Sequence, residues 1–218
     1  MEAENTDLLT EGAKTFGIDL DEKAIQSFEI YLKELLRWNE KINLTAIRSE
    51  KGIVLKHFLD SLSAYPYLPE HSVILDIGSG AGFPGIPLRI VHPAVEVTLM
   101  DSVRKKIDFQ KHIIRILGLN GTKAIHARAQ DKGILRDLGG RFDIILSRAF
   151  SDLQTLLALS LPFLRQGGKV VAMKSRLEDE EMRLLTGAED IPYRLQRAIP
   201  LILPFSSFKR TILLFEKA

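Results

Sequence analysis

Residues 73–85 read Val-Ile-Leu-Asp-Ile-Gly-Ser-Gly-Ala-Gly-Phe-Pro-Gly, an apolar run that breaks into glycines at 78, 80 and 82. A short apolar strand ending in closely spaced glycines must turn sharply, and glycine takes left-handed backbone angles without steric cost while letting a ligand approach the main chain. The helix expected next offers unpaired N–H groups to polar or anionic atoms. Spacing narrows the choice of ligand. A dinucleotide fingerprint, G-x-G-x-x-G, requires glycine at 83, and this chain has Phe83. The alternative for Gly78, Gly80 and Gly82 is a tight strand-to-helix connection that binds nothing.

The next strand ends Val97-Thr-Leu-Met-Asp101-Ser102. A carboxylate about 20 residues beyond such a loop can accept hydrogen bonds from both hydroxyls of a ribose, so Asp101 is the expected ribose ligand. Its other reading is an N-cap for the helix starting near Arg104, and Ser102 can take that role while Asp101 binds. Ligands in open α/β sheets sit beyond the C-terminal strand edges. The third strand delivers Ala127-Arg128-Ala129-Gln130 there, where an adenine ring would be met. The fourth ends Ser147-Arg148 and the fifth Met173-Lys174-Ser175. Arg148 and Lys174 are thus candidates for substrate or ligand contact; the mundane reading is a capped carbonyl or a surface ion pair. The G-x-G-x-G spacing with Asp76 before it resembles the first motif of class I S-adenosylmethionine-dependent methyltransferases.

Periodicity supplies the frame. Phe28, Leu32, Leu35 and Leu36 recur at helical spacing within 22–40, and a second helix is expected from Glu50 to Leu62, ahead of Pro66 and Pro69. From residue 72 short apolar runs begin: Val73–Ile77, Val95–Met100, Lys123–His126, Phe142–Leu146, Lys169–Met173, Tyr193–Ile199 and Arg210–Phe215. Helical stretches such as Arg104–Leu117 and Leu153–Leu164 separate the early ones. This alternation predicts an α/β fold with a mostly parallel sheet covered on both faces. The last two strands lack a helix between them and should form a hairpin with an antiparallel strand, the ending of a seven-stranded, Rossmann-like methyltransferase sheet. Residues 1–70 are expected to form an N-terminal helical cap and 71–218 the core, packed as one globular unit.

The chain has no cysteine, which excludes disulfides, cysteine zinc sites and a thiolate nucleophile. No apolar stretch approaches the roughly 18 residues of a membrane span, and no signal peptide is read at the N-terminus. A soluble, cytoplasmic, metal-free and monomeric protein is expected. Residues 1–22 hold seven acids and Lys14, leaving 29 basic and 21 acidic side chains in the remainder, a net +8. Such a body attracts polyanions, although a solvated mixed surface has the same composition.

Several segments together carry a more specific signal. Asn43-Leu-Thr45, His57-Phe-Leu-Asp60-Ser-Leu, Asp76-Ile-Gly-Ser-Gly-Ala-Gly-Phe-Pro-Gly-Ile-Pro87, Asp101-Ser with Lys105-Lys106, and Ser147-Arg-Ala149 resemble the RsmG (GidB) family from about residue 25 onward. That resemblance implies transfer of a methyl group from S-adenosylmethionine to guanine N7 in the 530 loop of 16S ribosomal RNA. It implies cofactor contacts at Gly78, Phe83, Ala129, Gln130 and Arg148. The family carries Arg-Ala-Glu where this chain has Arg128-Ala129-Gln130, which bears on a side-chain contact to adenine but not on a backbone one. His57, Asp60 and Ser61, at i, i+3 and i+4, share a helix face; they either contact RNA, close over the cofactor, or form a local hydrogen-bonded surface.

The residues also narrow the acceptor. Methylation at pyrimidine C5 commonly uses a cysteine, and exocyclic amino methylation usually uses Asn/Asp-Pro-Pro-aromatic where this chain reads Ser147-Arg-Ala-Phe150. Ribose 2′-O transfer needs help removing a proton, and only Lys174 suggests itself. Guanine N7 needs no deprotonation, so positioning can carry much of the catalysis. The alternatives are a methyltransferase for another RNA site or a small molecule, and a nucleoside-binding module without catalysis.

Overall fold

Val73–Ile77, the strand that feeds the glycine loop, lies inside a seven-stranded sheet in the computed structural model of the protein. The structure describes residues 1–148, 150, 152–177 and 192–217; Ala149 of the Ser147-Arg-Ala149 segment lies outside them. The strands are β1 (Val73–Ile77), β2 (Glu96–Asp101), β3 (Thr122–His126), β4 (Phe142–Arg148), β5 (Leu164–Lys174), β6 (Tyr193–Ile202) and β7 (Lys209–Lys217), in the order β3-β2-β1-β4-β5-β7-β6. The first five run parallel, and β7 lies antiparallel between β5 and β6. The terminal hairpin and mostly parallel sheet therefore match the architecture expected from the sequence.

The helices are α1 (Ala3–Lys14), α2 (Glu22–Asn39), α3 (Glu50–Ile53), α4 (Asp60–Leu62), α5 (Gly85–Val91), α6 (Arg104–Ile116), α7 (Lys132–Leu138) and α8 (Leu153–Ser160). Both faces of β1 are buried because its residues alternate between two cores. Ile74 points into a cluster with Phe28, Leu32, Phe58, Ile86, Phe109 and Ile113 from the N-terminal helices, α5 and α6. Leu75 and Ile77 point into the opposite one, with Leu153, Leu156, Leu157, Phe163 and Phe215. The N-terminal helices thus share one continuous core with a face of the sheet.

Two local features depart from expectation. α1 was not anticipated: its buried stripe is Asn5, Leu9, Gly12 and Ala13, too poor in large apolar residues to stand out in an acidic segment. The helix expected from Glu50 to Leu62 is not α throughout, because Val54–Leu59 form a π-helical turn between α3 and α4. π turns are rare and concentrate at functional positions.

Asp60, at the end of that turn, ties the N-terminal helices to the sheet. Its Oδ1 accepts from Arg210 Nε at 2.8 Å, and its Oδ2 accepts from Arg210 Nη2 and Arg148 Nη1, each at 3.2 Å. All three side chains are largely buried. Removing one member of a buried ion pair leaves the others without a counter-charge. Asp60→Asn is expected to destabilise the protein by about 3–5 kcal/mol, checked by urea unfolding; a loss below about 1 kcal/mol would show that the carboxylate charge is dispensable.

Candidate cofactor site at the C-terminal edge of the sheet

The turn after β1 is held from behind by its neighbour strand. Gly78 N–H and Ser79 N–H both donate to the Met100 carbonyl, at 2.9 and 3.1 Å, and Gly80 N–H donates to Asp101 Oδ2 at 2.8 Å. Gly78, Gly80 and Gly82 have φ values of +73°, +60° and +100°, angles that side-chain-bearing residues adopt at a cost. Gly82 N–H and Phe83 N–H donate to Ser79 O, and Gly85 N–H donates to Asp76 Oδ2 at 2.8 Å. The sequence suggested N–H groups held open for a ligand. The structure shows these ones engaged within the protein, so what the loop presents is bare backbone.

Two buried side chains complete the clamp. Gln110 Nε2, from the apolar stripe of α6, donates to Ser79 Oγ (2.8 Å) and Gly80 O (2.7 Å). Tyr31, from α2, donates its hydroxyl to Ala81 O at 2.6 Å. Sequence reasoning missed both. Gln110 was detectable as a polar residue three positions from Ile107 and Ile113, hence on the buried face of its helix.

In front of the clamp is a cavity of about 330 Å³ lined by Ile77, Gly78, Met100, Asp101, Ser102, Ala127, Arg128, Ala129, Gln130, Phe150 and Leu159. The structure therefore gathers Gly78, Asp101, Ala129 and Gln130 around one space. Each Asp101 oxygen accepts one backbone hydrogen bond, Oδ2 from Gly80 and Oδ1 from Val103 (2.8 Å). A carboxylate oxygen has two lone pairs, so each retains acceptor capacity. Ser102 does not cap α6; Val103 occupies the N-cap position with no side-chain bond. Ile77, Met100 and Leu159 form apolar walls of the cavity.

Gly80, Gly82, Phe83, Arg148 and Lys174 do not line this cavity. Phe83 is buried between Tyr31 and His57, with ring centroids 5.3 and 4.5 Å away. Arg148 donates to Lys56 O (2.8 Å), Asp60 Oδ2 and His57 Nδ1 (3.0 Å), and its guanidinium lies over the Phe83 ring. Because arginine only donates, His57 Nδ1 is the acceptor, and Nε2–H faces Thr45 Oγ1 at 2.7 Å. Burial and then the Arg148 charge push the His57 imidazole down to about 3, so it is neutral at physiological pH. His57, Asp60 and Ser61 hydrogen-bond within the protein, with Asp60 and Ser61 buried and not on a helix surface; Ser61 Oγ donates to His57 O at 2.6 Å. Lys174 is mostly buried, and its ammonium donates to Phe150 O at 2.9 Å, bracing a residue of the cavity wall.

Asp76, beneath the loop, is fully buried, and burial pushes its carboxyl up to about 7 against the Gly85 N–H and Arg148 that favour ionisation. Gly85 cannot carry a side chain here, since a Cβ would stand 2.5 Å from Leu99 Cδ2 and 2.9 Å from Asp76 Oδ2. The native state holds the Asp76 proton more tightly than the unfolded chain. Its contribution is full below about pH 4 and is lost as pH rises toward 7. Asp76→Asn has no proton to lose, so the stability difference, variant minus wild type, should grow from pH 4 to 8 in urea titrations. A difference independent of pH would show that Asp76 is ionised in the native state.

Among the described residues no helix is long and apolar enough to cross a membrane, and no group of three or more histidine or acidic side chains could hold a metal ion.

Residues 24–204 match the GidB family, described as rRNA small subunit methyltransferase G. The ribosomal RNA small subunit methyltransferase G of Geobacter metallireducens is 42% identical over 218 residues, covering 100% of this chain and 98% of the relative. That of Acetivibrio thermocellus is 39% identical over 211 residues, covering 96% and 87%. Among solved structures, M. jannaschii TYW2 in complex with AdoMet aligns with a TM-score of 0.58 at 17% identity, covering 81% of this chain and 80% of that one. YcgJ from Bacillus subtilis aligns with a TM-score of 0.56 at 15% identity, covering 74% and 99%. These distant likenesses speak to the fold, which is that of the class I methyltransferases; the relatives speak to the lineage, and the chain belongs to the GidB family of small subunit rRNA methyltransferases.

Proposed function

We propose that the protein transfers a methyl group from S-adenosylmethionine to N7 of a guanine in the 530 loop of 16S ribosomal RNA. The observation that carries this reading is the single cavity in which Gly78, Asp101 and Ala129-Gln130 meet, in a chain of this family. The residues fit the cofactor. A Cβ on Gly78 or Gly80 would meet nothing nearer than 3.9 Å, so the space over the backbone is open. Asp101 retains lone pairs for ribose hydroxyls, and Ala127, Ala129, Leu159 and Phe150 form an apolar slot for a purine.

Bound there, S-adenosylmethionine supplies an electrophilic methyl group on a sulfonium sulfur. The chain's own contribution is placement. Asp101 and the loop hold the nucleoside end, and Gln130, exposed at the rim, offers an amide or its backbone to the adenine. Guanine N7 attacks with its own lone pair, so the acceptor asks for orientation and not for a base. Arg148 and Lys174 act through their neighbours, Arg148 by fixing His57 and Phe83 and Lys174 by holding the Phe150 carbonyl. On this reading residues 1–70 are a helical cap on a catalytic core of 71–218. The enzyme works in the cytoplasm as a monomer, without metal, on 16S rRNA or the small subunit.

Asp101→Ala is expected to weaken S-adenosylmethionine binding by about 1–3 kcal/mol, the loss of charge-assisted hydrogen bonds; calorimetry giving wild-type affinity would remove Asp101 from the site. For the acceptor, small subunits reconstituted with 7-deazaguanine at the methylated position should bind normally and take no methyl group. Transfer to that nucleotide at the wild-type rate would assign the reaction to another atom.

A further inference from the structure

The loop joining β6 to β7 holds an aromatic ring out of the protein in an unfavourable backbone conformation. Phe205 has φ +54°, a left-handed angle that bulky residues rarely take, and the residue is 62% exposed. The turn around it is firmly built. Leu203 N–H donates to Phe208 O (2.9 Å), Ser206 Oγ donates to Leu203 O (2.8 Å), and Phe208 N–H donates to Ser206 Oγ (3.2 Å). Glycine or asparagine would form this turn with less strain, and neither would present a ring.

The surroundings are cationic. Between Pro192 and Phe215 the chain has Arg194, Arg197, Lys209 and Arg210 and no acidic residue. Lys209 is exposed at the foot of the loop, and Lys56 reaches across from the π turn to lie 4.4 Å from the Phe208 ring centroid. Neither lysine has an acidic partner among the described residues.

Topology places this tip beside the cavity. β7 runs against the parallel strands, so its first residues stand at their C-terminal edge, with Thr211 opposite Lys174. Lys174 holds the Phe150 carbonyl at the cavity wall, and Arg210 shares Asp60 with Arg148 at the end of β4. Neighbouring strands are about 4.8 Å apart, so β7 lies roughly 10 Å from β4, on the side of the sheet away from the ribose ligand.

An exposed ring on a rigid turn, flanked by uncompensated lysines, is how proteins hold single-stranded nucleic acid: the ring stacks on a base and the cations follow the phosphates. We propose that the β6–β7 tip docks the RNA substrate, with Phe205 stacked on an unpaired base flanking the target nucleotide and Lys209 and Lys56 on adjacent phosphates. The inference rests on the small-subunit rRNA reading above but not on which atom is methylated.

Phe205→Asn relieves the left-handed strain, so this variant folds and should melt no lower than wild type with unchanged S-adenosylmethionine affinity. Its KM for small subunits should rise about ten-fold, within the range for loss of one stacked base, and Phe205→Tyr should restore it. Lys209→Gln should make the dependence of log affinity on log salt shallower by about 1. With p-benzoylphenylalanine in place of Phe205, irradiation on small subunits should crosslink to rRNA close to the methylated nucleotide. A wild-type KM for Phe205→Asn, a crosslink to a ribosomal protein, or no crosslink would each overturn the proposal. If the wild-type enzyme places no methyl group on RNA, the functional reading fails instead, and the crosslink still reports separately on the tip.

Discussion

The glycine loop has little support of its own, and the site depends on its being strapped to the adjacent strand. Three successive N–H groups, of Gly78, Ser79 and Gly80, find their acceptors on β2, at the Met100 carbonyl and the Asp101 carboxylate. A left-handed turn so anchored cannot drift relative to the end of β2, and the carboxylate that anchors it also faces the cavity. One side chain thus sets the shape of the backbone floor and presents the polar group beside it. Gln110 and Tyr31 extend the arrangement by holding the carbonyls of Gly80 and Ala81 from α6 and α2. Nearly all the hydrogen-bonding capacity of the loop is committed inward, which suits a surface that must let a ligand lie flat against it.

Electrostatics connect the N-terminal helices to that loop through an unusual set of buried groups. Arg148 and Arg210 share Asp60, and Arg148 also donates to a backbone carbonyl and to the acceptor nitrogen of a neutral histidine. His57 in turn stacks on Phe83, which stacks on Tyr31. Positive charge is kept within the protein at the end of β4, balanced by the Asp60 carboxylate that both arginines share. The Arg148 guanidinium and the His57 ring pack on Phe83, whose N–H donates to Ser79 O in the loop.

Much of this was legible in the residues because the chemistry leaves few choices. A strand ending in glycines at 78, 80 and 82 and a carboxylate at 101 can be recognised from spacing alone, and both meet at the cavity. The alternation of apolar runs announced the sheet, and the missing helix before Lys209 announced the hairpin. What escaped reading depends on contacts between distant segments. Nothing local marks Arg148 as bound to Lys56, His57 and Asp60 instead of facing the cleft, since those partners lie about 90 residues earlier. The short helices α5 and α7 carry Pro87 and Gly133 and show no period, α5 because its first four residues are all buried and α7 because none of its residues is. α1 draws its buried face from Leu9 and otherwise small or polar residues.

The π turn at Val54–Leu59 has a consequence for how this chain can vary in length. Such a turn accommodates one more residue than an α-helix over the same rise. Deleting one residue from it would let the segment relax into regular α-helix with everything beyond it close to its present phase, whereas a residue added there and absorbed as regular helix would rotate everything beyond it by about 100°. After such an insertion Asp60 would leave the two arginines, although every residue touching them was still present. The segment's chemistry is therefore encoded in a count of residues as much as in their identities. Variation among related chains should accept the loss of one residue between 54 and 59 far more readily than the gain of one.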